Sequence, residues 1–341
     1  MTKTITILGD GQMGLVAAAM LANPDGTGST PAHSLDLRLW AHEDGTARRL
    51  AQTRQSVRLP GLVLGESITV TGSDALALSE TDLVVLAVPT QFIRPILNRL
   101  KSDVAQGVPV VSVSKGVEIG TLLRPTEIIA DVLGDRSTGV LAGPTIATEL
   151  ARCLPATMVC ASEKPEFALE VQELFTTSWM RIYTSDDPLG VELAGATKNV
   201  IAIAAGIIDG LQAGFNAKSA LLARGLAEIA RLGSAMGANP ETFFGLTGVG
   251  DLATTCFSPE GRNRSCGEAL GRGEAIDDYL ARTDSVVEGV FTAKSVLAMA
   301  EKHDVDMPIV RAVNAILGGG LDPIDAITTL MKRDLKAERV G

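Results

Sequence analysis

Along the first half of the chain, short apolar, β-branched runs alternate with segments whose apolar residues recur at helical spacing. Thr4–Leu8 (TITIL) predicts a strand. The alternation of Leu35, Leu37 and Leu39 with Asp36, Arg38 and Trp40 predicts a second. Leu83–Val88 (LVVLAV) is continuously apolar and stops at Pro89, as a strand buried on both faces would. Val108–Val113, Gly139–Ala142, Ala156–Ala161 and Met180–Thr184 supply further candidates. Strands interleaved with helices predict a mostly parallel, doubly wound α/β sheet. From Pro188 onward Ala, Leu, Ile and Gly recur with helical spacing and β-rich runs fade. The expected organisation is an α/β domain over residues 1–187 followed by an all-helical domain over 188–341. The turn-rich 23–34 segment is expected to form a mobile surface loop, and the charged 332–341 tail to fray.

The first strand runs directly into Gly9-Asp10-Gly11-Gln12-Met13-Gly14 and then an Ala-rich helix. This is G-x-G-x-x-G in the strand–turn–helix setting that a dinucleotide pyrophosphate requires. Gly9 permits the tight turn, Gly11 lets backbone N–H groups approach the phosphates, and Gly14 lets helix and strand pack closely. The helix N-terminus adds about half a positive charge. Asp10 is a complication, because a carboxylate beside a pyrophosphate repels it unless it points away. The residue that reads the adenosine ribose belongs at the end of the second strand, where an acid favours NAD and a base favours NADP. Here that end reads Trp40-Ala41-His42-Glu43, with Arg48 and Arg49 following. His42, Arg48 and Arg49 lean towards NADP and Glu43 towards NAD. The two arginines read equally well as a solvated helix face.

Composition narrows the classes of function. The 341 residues are 46% hydrophobic and 21% charged, with a formal net charge of −10. That balance suits a globular protein with a substantial core, and the acidity disfavours nucleic-acid binding. An anionic substrate therefore needs a local basic cluster. Cys153, Cys160, Cys256 and Cys266 form no C-x-x-C pair, and three His are too few to suggest a metal site. No signal peptide is evident, so a cytoplasmic location is expected. The longest apolar stretch, Pro188–Leu211, carries Glu192, Lys198, Asn199 and Asp209, so a buried core helix is expected there rather than a membrane span.

Four further clusters carry candidate chemistry. Ser114-Lys115-Gly116 follows a buried strand, at the sheet edge where doubly wound folds bind ligands. Gly143-Pro144-Thr145 opens another strand–turn–helix, where Thr145 either faces an anion or caps the helix. Lys198 lies in a dense Ala/Gly helix. Burial there lowers a lysine's pKa and suits acid/base chemistry, whereas a lysine snorkelling to the surface would be inert. Gly245–Cys256, with Asp251 and Thr255, precedes Gly261-Arg262-Asn263-Arg264, where Arg262 offers the bidentate geometry that phosphate prefers.

These motifs, in this order and over nearly the whole chain, resemble the bacterial NAD(P)-dependent glycerol-3-phosphate dehydrogenase family. The resemblance rests on the glycine loop, Lys115-Gly116, Gly143-Pro144-Thr145, Gly190–Asn199, Gly250–Cys256, Arg262-Asn263-Arg264 and Val286-Val287-Glu288-Gly289. It implies an N-terminal Rossmann-like domain and hydride transfer between NAD(P)H and dihydroxyacetone phosphate. The product is glycerol 3-phosphate, the backbone for phospholipid synthesis. It implies Lys198 as proton donor and acceptor, with Lys115 and Asp251 in support. Substrate would touch Lys115, Gly143, Thr145, Asp251, Thr255, Arg262 and Asn263. Cofactor would touch Gly9, Gly11, Gln12, Met13, Gly14, His42, Arg49, Lys115, Ala147, Arg262, Val286 and Glu288. NADP is favoured over NAD, and no metal is required. The expected partner is a small phosphorylated substrate, without nucleic acid or membrane span, and a homodimer is compatible with the sequence. The chain departs from the family pattern in Thr145 and Gly261, each at a usual Ser, and in Asp10 and Met13. A β-hydroxyacid or 6-phosphogluconate-type dehydrogenase is the nearest alternative. That class places its catalytic Lys and Asn four residues apart, whereas Lys198 and Asn199 are adjacent. A non-catalytic dinucleotide sensor would not need Lys198, Asp251 and Arg262 together.

Overall fold

The structure is a computed structural model that describes residues 2–23, 35–283, 285–335 and 337–338; the expected 23–34 loop falls, but for Asn23, outside the described residues, as does most of the end of the tail. The chain forms two compact units. One comprises Met1–Ser114 and Pro125–Pro188, the other Lys115–Arg124 and Leu189–Gly341. The α/β and helical units expected on either side of residue 187 are therefore joined by an exchange: a ten-residue segment from the first half packs with the helical unit.

In the first unit an eight-stranded sheet has the order β3-β2-β1-β4-β5-β6-β7-β8. Its strands are β1 (Lys3–Leu8), β2 (Leu35–Trp40), β3 (Ile68–Thr71), β4 (Leu83–Leu86), β5 (Val110–Ser112), β6 (Thr138–Ala142), β7 (Ala156–Ala161) and β8 (Met180–Ser185). All neighbours run parallel except β6 and β7, which are antiparallel. This is the doubly wound order with its switch between β1 and β4. The helices are α1 (Gln12–Ala22), α2 (Asp44–Thr53), α3 (Asp74–Leu78), α4 (Ile93–Leu100), α5 (Pro125–Leu133), α6 (Ala147–Leu150) and α7 (Pro165–Phe175). β3 has no counterpart in the sequence reading, because Ile68-Thr69-Val70-Thr71 is too short and too polar to stand out. The predicted 83–88 strand ends at Leu86. Beyond it Ala87 N still donates to Leu8 O at 2.9 Å, and the chain then leaves the sheet at Pro89.

Register places the ligand-binding edge. Leu8 pairs with Trp40, and Gly9 N donates to Trp40 O at 3.0 Å. The glycine turn and the end of β2 are thereby locked side by side. Ile5, Ile7, Leu15, Val16, Leu37, Leu39, Leu83 and Val85 form the buried core beneath them.

The second unit contains α8 (Pro188–Gly210), α9 (Gly214–Met236), α10 (Asp251–Phe257), α11 (Arg262–Gly271), α12 (Ile276–Arg282), α13 (Glu288–Lys302), α14 (Pro308–Leu317) and α15 (Pro323–Met331). α8 is long and apolar enough to cross a membrane, yet its apolar window is wholly buried in the fold, as a core helix is. Its small residues set the packing distance. A Cβ on Gly206 would lie 1.9 Å from Arg264 O, and one on Gly267 would lie 1.9 Å from Ile203 O. Gly210 and Gly271 are also too tight for a side chain, at 2.3 Å from Glu268 O and 2.5 Å from Ile207 O. α8 and α11 thus meet backbone to backbone through two G-x-x-x-G spacings. The charged residues of α8 are paired, whereas the Thr197 hydroxyl is buried with no hydrogen-bond partner among the described residues. Glu192 receives Arg124 at 2.5 Å, and Asp209 receives Lys218 at 2.7 Å and Arg264 at 2.6 Å. Elsewhere buried Glu228 accepts from Ile309 N and Val310 N, satisfying the first turn of α14. Burial nevertheless pushes its carboxyl up to about 7.

Candidate active site

The glycine loop fits a dinucleotide for reasons that differ at each glycine. Gly9 has φ of +119°, and a Cβ there would lie 2.6 Å from Ala87 O. A Cβ on Gly14 would overlap Gly9 O at 1.9 Å. Gly11 is different: its φ is −71°, and a Cβ would meet only Ala87 O, at 4.0 Å. Neither strain nor packing explains a glycine at that position. The cleared space lies at the N-cap of α1, where no side chain caps the first N–H groups among the described residues. That is the cradle a pyrophosphate occupies. Asp10 does not oppose it unscreened, because its buried carboxylate is paired with Arg58 Nη1 at 3.0 Å. Gln12 Nε2 donates to Arg58 O at 2.9 Å, so the 55–59 segment is fastened to the loop twice.

At the end of β2, Trp40, His42 and Arg99 form a small group. Arg99 stacks 5.3 Å from the Trp40 ring centroid and grips Asp74 with both Nε and Nη2, at 2.7 and 2.8 Å. Its Nη1 lies 3.4 Å from His42 Nδ1. Arg99 was not legible as a site residue, since it comes from α4, 57 positions beyond His42. Arg48 and Arg49 are exposed on α2, and Glu43 accepts from Thr46 Oγ1 at 3.2 Å at the start of that helix. Asp36 is occupied by Arg38 at 2.7 Å. Met13 and Ala147 are partly buried against the sheet core. Thr145 does not cap α6, whose N-cap is Ile146; its Oγ1 donates to Gly143 O at 3.2 Å.

In the helical unit, Lys115, Lys198, Asp251 and Thr255 converge. A π-helical turn over Leu246–Gly250 leads into α10 and presents Asp251 at its start. Asp251 is 1% exposed. One carboxylate oxygen takes Lys198 Nζ at 2.8 Å and the other takes Lys115 Nζ at 2.6 Å. Lys198 Nζ also donates to Thr255 Oγ1, and that hydroxyl lies 3.3 Å from Asp251 Oδ1. The stem of Lys115 lies over Gly195 of α8, where a Cβ would come 3.5 Å from its Cγ. A buried lysine, Lys198, and a half-buried one, Lys115, share the Asp251 carboxylate. Burial, and secondarily the neighbouring Lys115, pull the Lys198 ammonium down from its ordinary 10.5, while Asp251 holds it up, to about 8. Lys198 can therefore exchange a proton near neutral pH.

α11 begins a few residues beyond. Arg262 is exposed, with Nη1 fixed on Val286 O at 3.0 Å, leaving the rest of its fork to solvent. Asn263 is buried and accepts from Gly289 N at 2.9 Å, which ties the start of α13, and with it Glu288, to α11. Gly261, where the family usually carries Ser, is the N-cap of α11; a Cβ there would come 3.0 Å from Thr255 O.

A dinucleotide cradle on a doubly wound sheet, together with a helical unit that holds a lowered-pKa lysine against a buried carboxylate, defines a nicotinamide-dependent oxidoreductase of the dehydrogenase type. Residues 4–168 match the model for the N-terminus of NAD-dependent glycerol-3-phosphate dehydrogenase, and residues 187–328 the model for its C-terminus. The chain is 42% identical over 338 residues to an NAD(P)+ glycerol-3-phosphate dehydrogenase of Prosthecochloris aestuarii, covering 98% of this chain and 99% of that one. It is likewise 42% identical over 343 residues to one of Geobacter sulfurreducens, covering 99% and 100%. The crystal structure of glycerol-3-phosphate dehydrogenase from Coxiella burnetii superposes with a TM-score of 0.91 at 33% identity, covering 97% of this chain and 99% of that one. The chain belongs to the NAD-dependent glycerol-3-phosphate dehydrogenase family.

The Lys198 pKa predicts mirrored pH dependences. With Lys198 as the proton donor and acceptor expected from the sequence, ketone reduction should decline as pH rises through about 8, and alcohol oxidation should rise over the same range. Asp251→Asn removes the interaction that holds the ammonium up. It should move both limbs to lower pH by about one unit or more. Steady-state rates from pH 6 to 10 in both directions test this, and limbs that stay in place would remove Lys198 from the titrating step.

Proposed function

We propose that this chain interconverts dihydroxyacetone phosphate and sn-glycerol 3-phosphate, and so supplies glycerol 3-phosphate for phospholipid synthesis. The observation that carries the reading is the buried Lys198–Asp251–Lys115 arrangement with Thr255 against it. Bound NAD(P)H supplies the hydride. Lys198 gives its proton to the oxygen of the substrate ketone as charge develops there, and takes it back in the reverse direction. Lys115 remains charged and stabilises that oxygen. Asp251 fixes both ammonium groups, and Thr255 offers Lys198 a second acceptor, so the amine keeps its aim in either protonation state. Arg262, with Nη1 anchored on Val286 O, presents its other donors to the substrate phosphate, and the Asn263 amide nitrogen adds a donor beside it. Gly143, Thr145, Ala147 and Glu288 are carried as ligand contacts on the same reading, as are a cytoplasmic location and a homodimeric assembly.

Lys198→Ala should lower kcat in NAD(P)H-dependent reduction of dihydroxyacetone phosphate by roughly 100- to 10,000-fold, with the cofactor Kd nearly unchanged. A variant that kept a tenth of the wild-type kcat would take the acid/base role away from Lys198.

Arg262→Ala should raise KM for dihydroxyacetone phosphate roughly tenfold to a hundredfold. It should also erase discrimination against unphosphorylated dihydroxyacetone, because a charge-assisted fork contributes about 1.5–3 kcal/mol. Unchanged selectivity would assign the phosphate to other side chains.

For the cofactor, the proposal favours NADP. His42, Arg48 and Arg49 bring positive charge to the end of β2, and Glu43 is engaged by Thr46 at the start of α2. Arg99 adds less than its formal charge, being paired with Asp74. The check is kcat/KM for NADPH against NADH at one fixed ionic strength, where screening is equal for both. A clear NADH preference would place Glu43 on the ribose and make the two arginines a solvated face.

A further inference from the structure

Asp10 is the one feature of the glycine loop that its dinucleotide reading leaves unexplained. The residue is 6% exposed, and it occupies the position between the turn glycine Gly9 and the phosphate-approach glycine Gly11. Oδ1 accepts from Arg58, while Oδ2 is buried and has no hydrogen-bond partner among the described residues. A carboxylate fixed there carries a full negative charge at the mouth of an anion site. The peptide N–H groups of one helix N-terminus amount to about half a positive charge, too little to offset it. Arg58 supplies the missing charge. Its Nη1 is 3.0 Å from Asp10, its side chain is about half exposed, and no other hydrogen bond of its guanidinium is formed in the described structure. Its backbone is held in the same place, since Gln12 of the loop donates to Arg58 O and Leu59 beside it is fully buried in the sheet core. The guanidinium is thus delivered to the loop by a tethered segment and leaves Nε and Nη2 without a hydrogen bond in the described structure.

We infer that Arg58 is a positioning residue for the dinucleotide pyrophosphate: it neutralises Asp10 and offers its remaining donors to the phosphate oxygens, so that the Asp10–Arg58 pair as a unit replaces a neutral loop residue. The inference rests on the dinucleotide reading of the glycine loop. Because the pyrophosphate is common to both cofactors, the pair does not discriminate NADPH from NADH, in contrast to the groups at the end of β2.

The test is binding to the full-length protein by calorimetry, with NADPH, NADH, ADP and adenosine as probes, alongside thermal melting without ligand. Wild-type protein should bind both dinucleotides and ADP; failure to bind any of them would sink the dinucleotide reading and the inference with it. Given that binding, Arg58→Ala should weaken NADPH, NADH and ADP by tenfold or more and by similar factors, and adenosine by less than twofold. Arg58→Lys should retain most of the affinity. The melting temperature without ligand should stay close to wild type. Asp10→Asn combined with Arg58→Ala should recover affinity to within about threefold of wild type, because the charge that Arg58 masks is gone. An Arg58→Ala variant that binds ADP as tightly as wild type would overturn the inference. So would a double variant no better than the single one, since a clip that merely held the 55–59 segment could not be repaired by removing its other half.

Discussion

The helical unit is organised around one buried carboxylate that serves two lysines. Two ammonium groups without Asp251 would repel each other in a site almost closed to water. Asp251 without them would be an uncompensated buried charge, among the most destabilising features a core can carry. The three groups are stable only together, so every element that carries one of them must be held to within fractions of an ångström. The stem of Lys115 lies on Gly195, Lys198 projects from the middle of α8, and Asp251 is aimed by the π-helical turn before α10. The same arrangement sets the proton affinity. Burial and Lys115 push the Lys198 ammonium one way and Asp251 the other, and the balance falls near neutrality. A structural requirement and a chemical one are met by the same three side chains.

That degree of fixation depends on how closely α8 can approach its neighbours. Gly206 and Gly210 of α8 meet the backbone of α11, and Gly267 and Gly271 of α11 meet the backbone of α8, at distances no side chain could share, while a Cβ on Gly289 would lie 2.7 Å from the Asn199 carbonyl oxygen. Main-chain contact of this kind leaves little freedom for α11 to slide, so Arg262 and Asn263 are set by backbone packing more than by their own side-chain contacts. It also explains why a helix with several glycines, each costly to helix stability, forms the centre of the unit.

How much of this could be read from residues alone differs by physical cause. Backbone demands were legible where they are local: Gly9 takes a positive φ and Gly14 packs on Gly9 O, while Gly11 was legible only through the motif, since neither strain nor packing requires it. Lys198 was legible because a charged residue amid small apolar ones implies burial. Its partners were legible only as members of an ordered set of motifs, since nothing in sequence spacing tells which cation meets Asp251. Arg58 and Arg99 were not legible at all. Each reaches its site from an element far along the chain, 48 residues from Asp10 and 57 from His42. The misplaced details have equally specific origins. β3 is too short to show a period. Of the two roles open to Thr145, capping falls away, because the helix begins two residues later and Thr145 Oγ1 donates to Gly143 O.

The exchange of residues 115–124 has a consequence for how this protein can be divided. A fragment starting at residue 188 would encode the helices but lack Lys115, and Glu192 would lose Arg124, leaving two buried carboxylates short of a cation. A fragment ending at residue 187 would carry a strip of chain whose packing partners were missing. Recombination at the apparent border between the halves would therefore yield two defective pieces. New combinations of sheet and helices would need three junctions, near 114, 125 and 188, so a single crossover cannot exchange one unit for another.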